Sequence, residues 1–338
     1  MRFVTSLLTA AFLTLGWLVS AQEYKILYTG VPRNGFWHLF LMNPDGTGVK
    51  QLTKGEFHDG YPTWAPDGKR IAFLSRGRER GAANDIYVMN LDGTGLRNIT
   101  KSPDKWESNP DWSPDGREIL LTSKWVLWAI DVETGQRRRI SPEPKVINGV
   151  PEFQDYQGRW SSDGRKIVFT SIEMGRRLNI YMCDSDGGNR VNLTNSPTVD
   201  YCPVFTPDGR GVVFISNRGG KLNNKLYLLD LETRKLKLLC EMKWGIGSLD
   251  ISPDGRWIIL SSLNDREGVP PSRELYVFDM LTKKVKKLTD TLDVSECLPR
   301  WSPVPIGMGV DPLGKLLTLW GMLKIGVRIP KGKRGVHR

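Results

Sequence analysis

One short segment, rich in aromatic, proline and turn residues, recurs along the whole chain and limits the fold more than any other feature. Its clearest copy is Pro110-Asp111-Trp112-Ser113-Pro114-Asp115-Gly116, and the copies are spaced 45 to 50 residues apart. Self-similarity at such a period is the signature of solenoids and propellers, in which each repeat is one supersecondary unit. The aligned aromatic or apolar positions are Trp64, Trp112, Trp160, Phe205, Ile251 and Trp301.

Each repeat predicts four short strands, which we name A to D in chain order. Strand A carries the aromatic residue, and a Ser-Pro-Asp-Gly turn joins it to strand B, because Pro presets φ and Gly accepts a positive φ. Strand C is apolar on both faces, as in Ile86–Met89, which indicates a sheet covered on both sides. Strand D follows a second turn and ends in Leu-Thr or a close relative, as at Leu52-Thr53.

The phase of the repeats predicts how the chain closes. It begins with strands B, C and D at about residues 24–53 and ends with a lone strand A at about 297–303, so the two ends complete one blade. Sharing one blade between the termini removes exposed sheet edges. We therefore predict an all-β, six-bladed β-propeller of four-stranded antiparallel blades over residues 22–306.

The repeat also resembles that of a known family. The pattern Pro-x-Trp-Ser-Pro-Asp-Gly-Lys/Arg-x-Ile-x-Phe-x-Ser, followed by Ile-Tyr-Val-Met-Asn-x-Asp-Gly, is similar to the TolB-type, WD40-like propeller repeat. The resemblance covers about residues 24–303. It implies a six-bladed propeller of the bacterial cell envelope that binds other proteins.

The two ends of the chain predict targeting and a separate tail. Residues 1–21 combine Arg2, the apolar run Phe3–Val19 and a small-residue exit, which is typical of a secretory signal peptide. An uncleaved membrane anchor is the alternative. Residues 307–338 predict an amphipathic segment with a basic tail, which docks on the propeller, an anionic membrane or a partner. We expect an exported, monomeric protein of the periplasm or cell envelope.

Composition excludes several classes of function. The formal net charge is +11, but residues 311–338 carry +6 of it, so the propeller is not a basic surface for nucleic acid. There are three His residues and no zinc-protease, nucleophile-elbow or phosphate-loop motif, so we predict no metal and no other cofactor. His58 beside Asp59 is the candidate acid–base pair.

The cysteines show no metal-binding or redox spacing, although an exported protein is able to form disulfides. We predict that they are buried free thiols. They are Cys183, Cys202, Cys240 and Cys297.

An acidic column is the strongest candidate for a functional site. Five residues before the strand A landmark, five of the six repeats carry a carboxylate, although only 37 of 338 residues are acidic. The predicted chain path places this column around one mouth of the central channel. There it would focus a negative potential and favour a cation or a basic peptide segment. The column consists of Asp59, Glu107, Asp155, Asp200 and Glu296.

Arginines on the same predicted face offer a structural alternative. Pairing with them would neutralise the carboxylates and lock the blades together, and such locking does not exclude ligand binding. The arginines lie in the loops after strand B: Arg76, Arg78, Arg80, Arg176, Arg177, Arg218, Arg266 and Arg273.

Two classes of function follow from these features. The first is a non-catalytic propeller that serves as a protein-interaction scaffold, with a protein or peptide partner at the channel mouth. The alternative is a propeller enzyme, a hydrolase or lyase acting on a peptide or glycan, that uses the acidic mouth.

Overall fold

The computed structural model describes residues 24–305, apart from residue 34 and residues 79–83, 102–105, 174–176, 220–223, 244, 264–271 and 292–293. The predicted signal segment at 1–21 and the predicted tail at 307–338 lie outside the described residues. The described part of the chain forms strands and turns, and it contains no helix long and apolar enough to cross a membrane.

The strands are, in chain order, β1 (Ile26–Pro32), β2 (His38–Met42), β3 (Lys50–Gln51), β4 (His58–Trp64), β5 (Arg70–Arg76), β6 (Asp85–Asn90), β7 (Arg97–Asn98), β8 (Glu107–Trp112), β9 (Glu118–Ser123), β10 (Val126–Asp131), β11 (Arg137–Arg139), β12 (Val146–Ile147), β13 (Val150–Pro151), β14 (Phe153–Trp160), β15 (Lys166–Glu173), β16 (Leu178–Asp184), β17 (Val191–Asn192), β18 (Asp200–Phe205), β19 (Gly211–Ser216), β20 (Lys225–Asp230), β21 (Leu236–Glu241), β22 (Ile246–Ile251), β23 (Trp257–Leu263), β24 (Arg273–Asp279), β25 (Val285–Lys287) and β26 (Val294–Trp301).

The described strands form six antiparallel sheets of four strands, which confirms the predicted six-bladed propeller. Blades 1 to 5 are β4–β7, β8–β11, β14–β17, β18–β21 and β22–β25, and a small hairpin, β12–β13, lies between blades 2 and 3. The first strand of every blade contacts the first strand of the next, so these strands form a closed ring around the central channel.

Blade 6 joins the two ends of the described chain, in the order β26-β1-β2-β3. Strand β26 runs antiparallel to β1, from the pair Ile26 and Trp301 to the pair Pro32 and Val294. The amide of Ser302 also donates to the carbonyl of Lys25 at 2.8 Å. The predicted closure by the terminal strands is therefore confirmed.

The hydrophobic core lies between the blades. The described residues form six apolar clusters, and each combines side chains of two neighbouring blades. Blades 6 and 1, for example, meet through Leu27, Trp64 and Phe73. A sheet buried on both faces requires apolar residues on both sides of its strands, which is the pattern that strand C shows in the sequence.

Two recurring motifs have clear structural roles. In the Ser-Pro-Asp-Gly turn, the carboxylate of Asp115 accepts bonds from the Ser113 hydroxyl and the Arg117 amide, and Gly116 has a φ of 74°. In the Leu-Thr motif, the Thr hydroxyl accepts a bond from a strand C amide, as from Leu39 to Thr53 at 3.0 Å. These side-chain bonds satisfy backbone groups at the strand ends.

Candidate functional site

The acidic column lies at the start of the inner strands rather than in the loops before them. Glu107 and Asp200 are the first residues of β8 and β18, and the other three lie one or two residues further into their strands. Four of the carboxylates are completely buried, and Glu296 is 2% exposed. Because the five carboxylates are buried, they do not form a solvent-exposed ring of charge at the mouth.

Four of the carboxylates are paired with arginine. Arg78 approaches Asp59 at 2.5 Å, and Arg218 approaches Asp200 at 2.7 Å; both arginines follow strand B, as the sequence suggests. Glu107 and Asp155 instead pair with arginines of strand D or directly before it. These two pairs are Arg137–Glu107 at 3.0 Å and Arg190–Asp155 at 2.6 Å.

These pairs lie within single blades, whereas the alternative drawn from the sequence expected them to join neighbouring blades. In blades 1, 3 and 4 an aromatic layer supports the guanidinium group inside its own blade. Arg190 lies 4.9 Å from the ring of Phe169 and 4.6 Å from that of Tyr181, and these two rings stack on each other. We call this arrangement the arginine lock. Arg78 and Arg218 contact equivalent Phe and Tyr rings in blades 1 and 4.

Glu296 has a different environment, because hydroxyl groups and a second carboxylate surround it. Its oxygens accept a bond from the Thr291 hydroxyl at 2.8 Å, and the single hydroxyl proton of Thr289 is shared between Glu274 at 2.8 Å and Glu296 at 3.3 Å. Burial raises the pKa of the Glu296 carboxyl to about 7, although the Thr291 bond opposes this, and the nearby Glu274 raises it further. Glu296 therefore titrates near neutral pH in the closing blade.

We expect this carboxyl to make stability depend on pH. Because its folded pKa exceeds the unfolded value, its contribution is complete below about pH 4.5 and is lost as pH rises through about 7. The loss amounts to at most roughly 3 kcal/mol. Thermal melting between pH 5 and 8.5 should show a decline in wild type that Glu296→Gln flattens. Parallel curves for the two proteins would contradict this assignment.

A cavity of about 870 Å³ opens at the same end of the channel, and we call it the mouth cavity. Of the acidic column, Glu107 lines it, and one oxygen of that buried carboxylate has no hydrogen-bond partner. A second cavity of about 320 Å³ shares four lining residues with it and extends to Trp37 and His58. The mouth cavity is lined by Tyr61, Asn84, Trp106, Glu107, Ser108, Asn109, Thr122, Lys124, Trp125, Tyr156, Gln157, Cys202, Gly247 and Leu298.

Two tryptophans on the rim of this cavity are unusually exposed. Trp106 is 60% and Trp125 is 56% exposed. Trp125 occupies the two-residue turn between β9 and β10 together with Lys124, and both have positive φ, 67° and 48°. A turn of this kind normally requires Asn-Gly or Gly-Gly, because other residues are strained there. The chain therefore holds an exposed indole at the mouth at a cost in stability.

The inner strands also carry a bulge at the mouth. Pairing between strands A and B shifts register at this place in all six blades. Bulges often lie next to functional sites, and a positive φ outside glycine is uncommon. Five residues two positions beyond the acidic column have a φ between 51° and 56°, and all five line the mouth cavity: Tyr61, Asn109, Gln157, Cys202 and Leu298.

Sequence reasoning missed these five residues, although the sequence contains a weak signal for them. None of the six repeats has a β-branched residue at this position of strand A, where β-branched residues would suit a regular strand. β-Branched side chains tolerate a positive φ poorly.

Below the mouth cavity lie four charged residues of the inner strands, and we call them the channel floor. Arg159 bridges Asp111 at 3.2 Å and Asp250 at 2.5 Å, which links blade 3 to blades 2 and 5. Arg300 lies 3.9 Å from Asp250. A small cavity of about 30 Å³ is lined by both arginines and shares four residues with the mouth cavity. The pairing therefore connects the inner strands of blades 2, 3 and 5 across the channel.

The other candidates from the sequence have modest roles. His58 does not pair with Asp59: its Nδ1 accepts a long bond from the Trp37 amide, and Asp59 is held by Arg78. All four cysteines are free, as predicted, but Cys202 and Cys297 are only partly buried. Among the described residues, no group of three or more His, Cys, Asp or Glu is placed to hold a metal ion.

This fold, with its closed ring of inner strands, defines a six-bladed β-propeller. Residues 23–126 match the family model of the TolB beta propeller domain, so the predicted relation to the TolB-type propeller repeat is confirmed. Residues 78–176 also match the N-terminal region of dipeptidyl peptidase IV. Among solved structures, TolB from Acinetobacter baumannii has a TM-score of 0.68 and 21% identity, over 83% of this chain and 67% of that one.

Relatives found by sequence include a peptidase and a protein of undescribed activity. Dipeptidyl-peptidase 5 of Porphyromonas gingivalis is 27% identical over 74% of this chain, and the match covers 43% of the peptidase. An uncharacterised protein of Agrobacterium fabrum is 24% identical over 60% of this chain and 83% of its own length. This chain therefore spans less than half the length of the peptidase that it matches.

Proposed function

We propose that the chain is an exported, TolB-like propeller scaffold that binds a peptide segment of a partner protein in its mouth cavity. The observation that carries this proposal is the strained turn with exposed Trp125 at the rim of an 870 Å³ cavity. Exposed aromatic residues around a concave site supply most of the binding energy in many protein interfaces. Within the protein the Trp125 ring makes an edge contact with Tyr156, and the remaining exposed surface of the indole is available to a ligand.

Within the acidic column, Glu107 is the residue that we propose contacts the partner directly. Its unpaired Oε2, with the equally unpaired side-chain Oδ1 of Asn84, provides acceptors for backbone N–H groups of a peptide. Asp59, Asp155, Asp200 and Glu296 would act by holding the inner strands in place. In this proposal the protein works as a monomer in the periplasm or cell envelope, without nucleic acid.

The proposal is tested by replacing the turn with its ideal sequence. The Lys124→Asn/Trp125→Gly variant should raise the free energy of unfolding by roughly 1 kcal/mol or more, because it relieves the strained φ angles. It should also abolish the capture of partner proteins from native envelope extract. Leu281→Ala is a matched control, because Leu281 is 75% exposed in a turn at the opposite end of the propeller.

Enrichment of the same proteins by wild type, by the control and by the turn variant would contradict a binding role for the mouth. The enzymatic alternative is examined with the same preparations. Wild-type protein that converts a panel of peptides or polysaccharides, while the turn variant does not, would replace the scaffold proposal with a catalytic one.

A further inference from the structure

The channel floor has more hydrogen-bond donors than acceptors. Asp111 and Asp250 each use one oxygen for Arg159 and the other for a backbone amide, those of Trp160 and Trp301, both at 2.9 Å. Each guanidinium group has five N–H donors. Nη1 of Arg159 and Nε of Arg300 are buried and have no partner. The floor therefore lacks an acceptor rather than a donor.

Arg300 is the less satisfied of the two arginines. Its contacts are Asp250 at 3.9 Å and the Leu249 carbonyl at 3.5 Å, both at or near the limit of an attractive contact. Its side chain is 18% exposed, and burial lowers the pKa of the guanidinium to about 10. A buried cation with weak partners is stabilised by an added anion.

The path from the mouth to the floor is lined by shared residues. Asn109, Gln157, Cys202 and Leu298 line both the mouth cavity and the floor cavity. The floor cavity of about 30 Å³ exceeds the space that one water molecule needs, so one small polar group fits there. At the rim, the exposed Lys124 and Arg76 add positive charge, and Arg76 lies 5.7 Å from the ring of Trp106.

We propose that the channel floor binds a carboxylate of the partner, so that the peptide segment entering the mouth is acidic. The inference rests on the proposed function and names the chemistry of its ligand. The carboxylate would accept bonds from Arg159 and Arg300, while neighbouring acidic residues of the peptide contact Lys124 and Arg76. This reverses the expectation from the sequence of a basic partner, because four of the five carboxylates that carried it are paired with arginine.

The test uses two pools of random decapeptides, each labelled with an uncharged dye. Asp and Glu alternate with random neutral residues in one pool, and Lys and Arg do so in the other. Fluorescence anisotropy with the whole protein should show that the acidic pool binds at least tenfold more tightly. Raising the salt concentration should weaken this binding, since exposed charges are screened.

Variants locate the site. Arg300→Gln should weaken binding of the acidic pool about tenfold, and Lys124→Gln about threefold. Lys69→Gln removes an equal charge from the opposite face and should change nothing. A circular dichroism melt shows whether the Arg300→Gln variant is folded. If it is not, the position of the site is tested by comparing the affinity of Lys124→Gln for the acidic pool with that of Lys69→Gln.

The outcomes separate this inference from the proposed function. Equal binding of both pools, or preference for the basic pool, would overturn the acidic ligand and leave the mouth as a peptide site. Acidic binding that is unchanged in both Arg300→Gln and Lys124→Gln would overturn the assigned position. Binding of neither pool would overturn the peptide ligand itself, and with it the proposed function.

Discussion

A chain that ends at residue 291 should fail to form the closed propeller. It lacks β26, so the apolar residues Ile26 and Leu27 of β1, now 0% exposed, lose the strand that covers them. Strand β26 also contacts the inner strands of blades 1 and 5, and its removal therefore opens the ring on both sides. Trp301 alone is 6% exposed, and removal of a buried Trp side chain costs roughly 3–5 kcal/mol.

Thermal unfolding and gel filtration provide the measurement for this deletion. The matched control is a chain that ends at residue 305, because it keeps β26 and removes only the segment beyond the described residues. We expect the control to melt cooperatively and the shorter chain to aggregate or to melt at a much lower temperature, through its unpaired β1 edge. Equal melting temperatures for the two chains would show that the ring does not need its last strand. The point variant Trp301→Ala should give a smaller loss in the same direction.

The ring could be predicted from the sequence because every blade repeats the same local chemistry. The turn around Asp115 and Gly116 and the Leu-Thr motif at Thr53 satisfy backbone groups in the same way in successive blades, so periodicity reveals them. The closing strand follows from the phase of the repeats alone. The turn and the Leu-Thr motif depend on residues close in the chain, so the same local pattern recurs from blade to blade and can be recognised in the sequence.

The mouth cavity and the channel floor could not be predicted in the same way, because the residue types at the positions that line them differ from blade to blade. Trp125 lies in a two-residue turn with positive φ, where turn propensities favour Asn or Gly. Trp106 has no equivalent in the repeat pattern. The bond from Arg159 to Asp250 joins blades 3 and 5, and these two residues are 91 positions apart in the chain. A repeat pattern does not show residues that differ from blade to blade. Such residues determine which ligand a given propeller binds.

For the acidic column, the repeat pattern predicts where the carboxylates lie on the inner strands but not whether they bind arginine or a ligand. Five carboxylates at one repeat position indicated a shared task, and in the structure four of them are each paired with a different arginine. Burial favours the locking interpretation for Asp59, Asp155 and Asp200, whose arginine partners lie on aromatic rings. Phe169 and Tyr181 belong to strands B and C of the repeat, so the sequence contains the layer, but only the fold shows that Arg190 lies on it.

The double variant Asp155→Asn/Asp200→Asn should therefore lower stability strongly. Each substitution leaves a guanidinium group, Arg190 or Arg218, without its charge partner against aromatic rings. Breaking a buried pair costs roughly 3–5 kcal/mol. The two locks lie in different blades and share no partner, so their losses should add. The control Glu56→Gln/Glu232→Gln removes two exposed carboxylates and should change the free energy of unfolding by less than about 1 kcal/mol.

Urea denaturation of both double variants, together with binding of the acidic peptide pool, separates locking from ligand contact. We expect the Asp155→Asn/Asp200→Asn variant to unfold at a lower urea concentration than the control while the affinity of the folded protein stays unchanged, because neither residue lines the mouth cavity. Unfolding at the same urea concentration as the control would contradict the arginine lock. Weaker peptide binding without a loss of stability would instead assign these two carboxylates to the ligand site, because a change in their charge would then act on the partner alone.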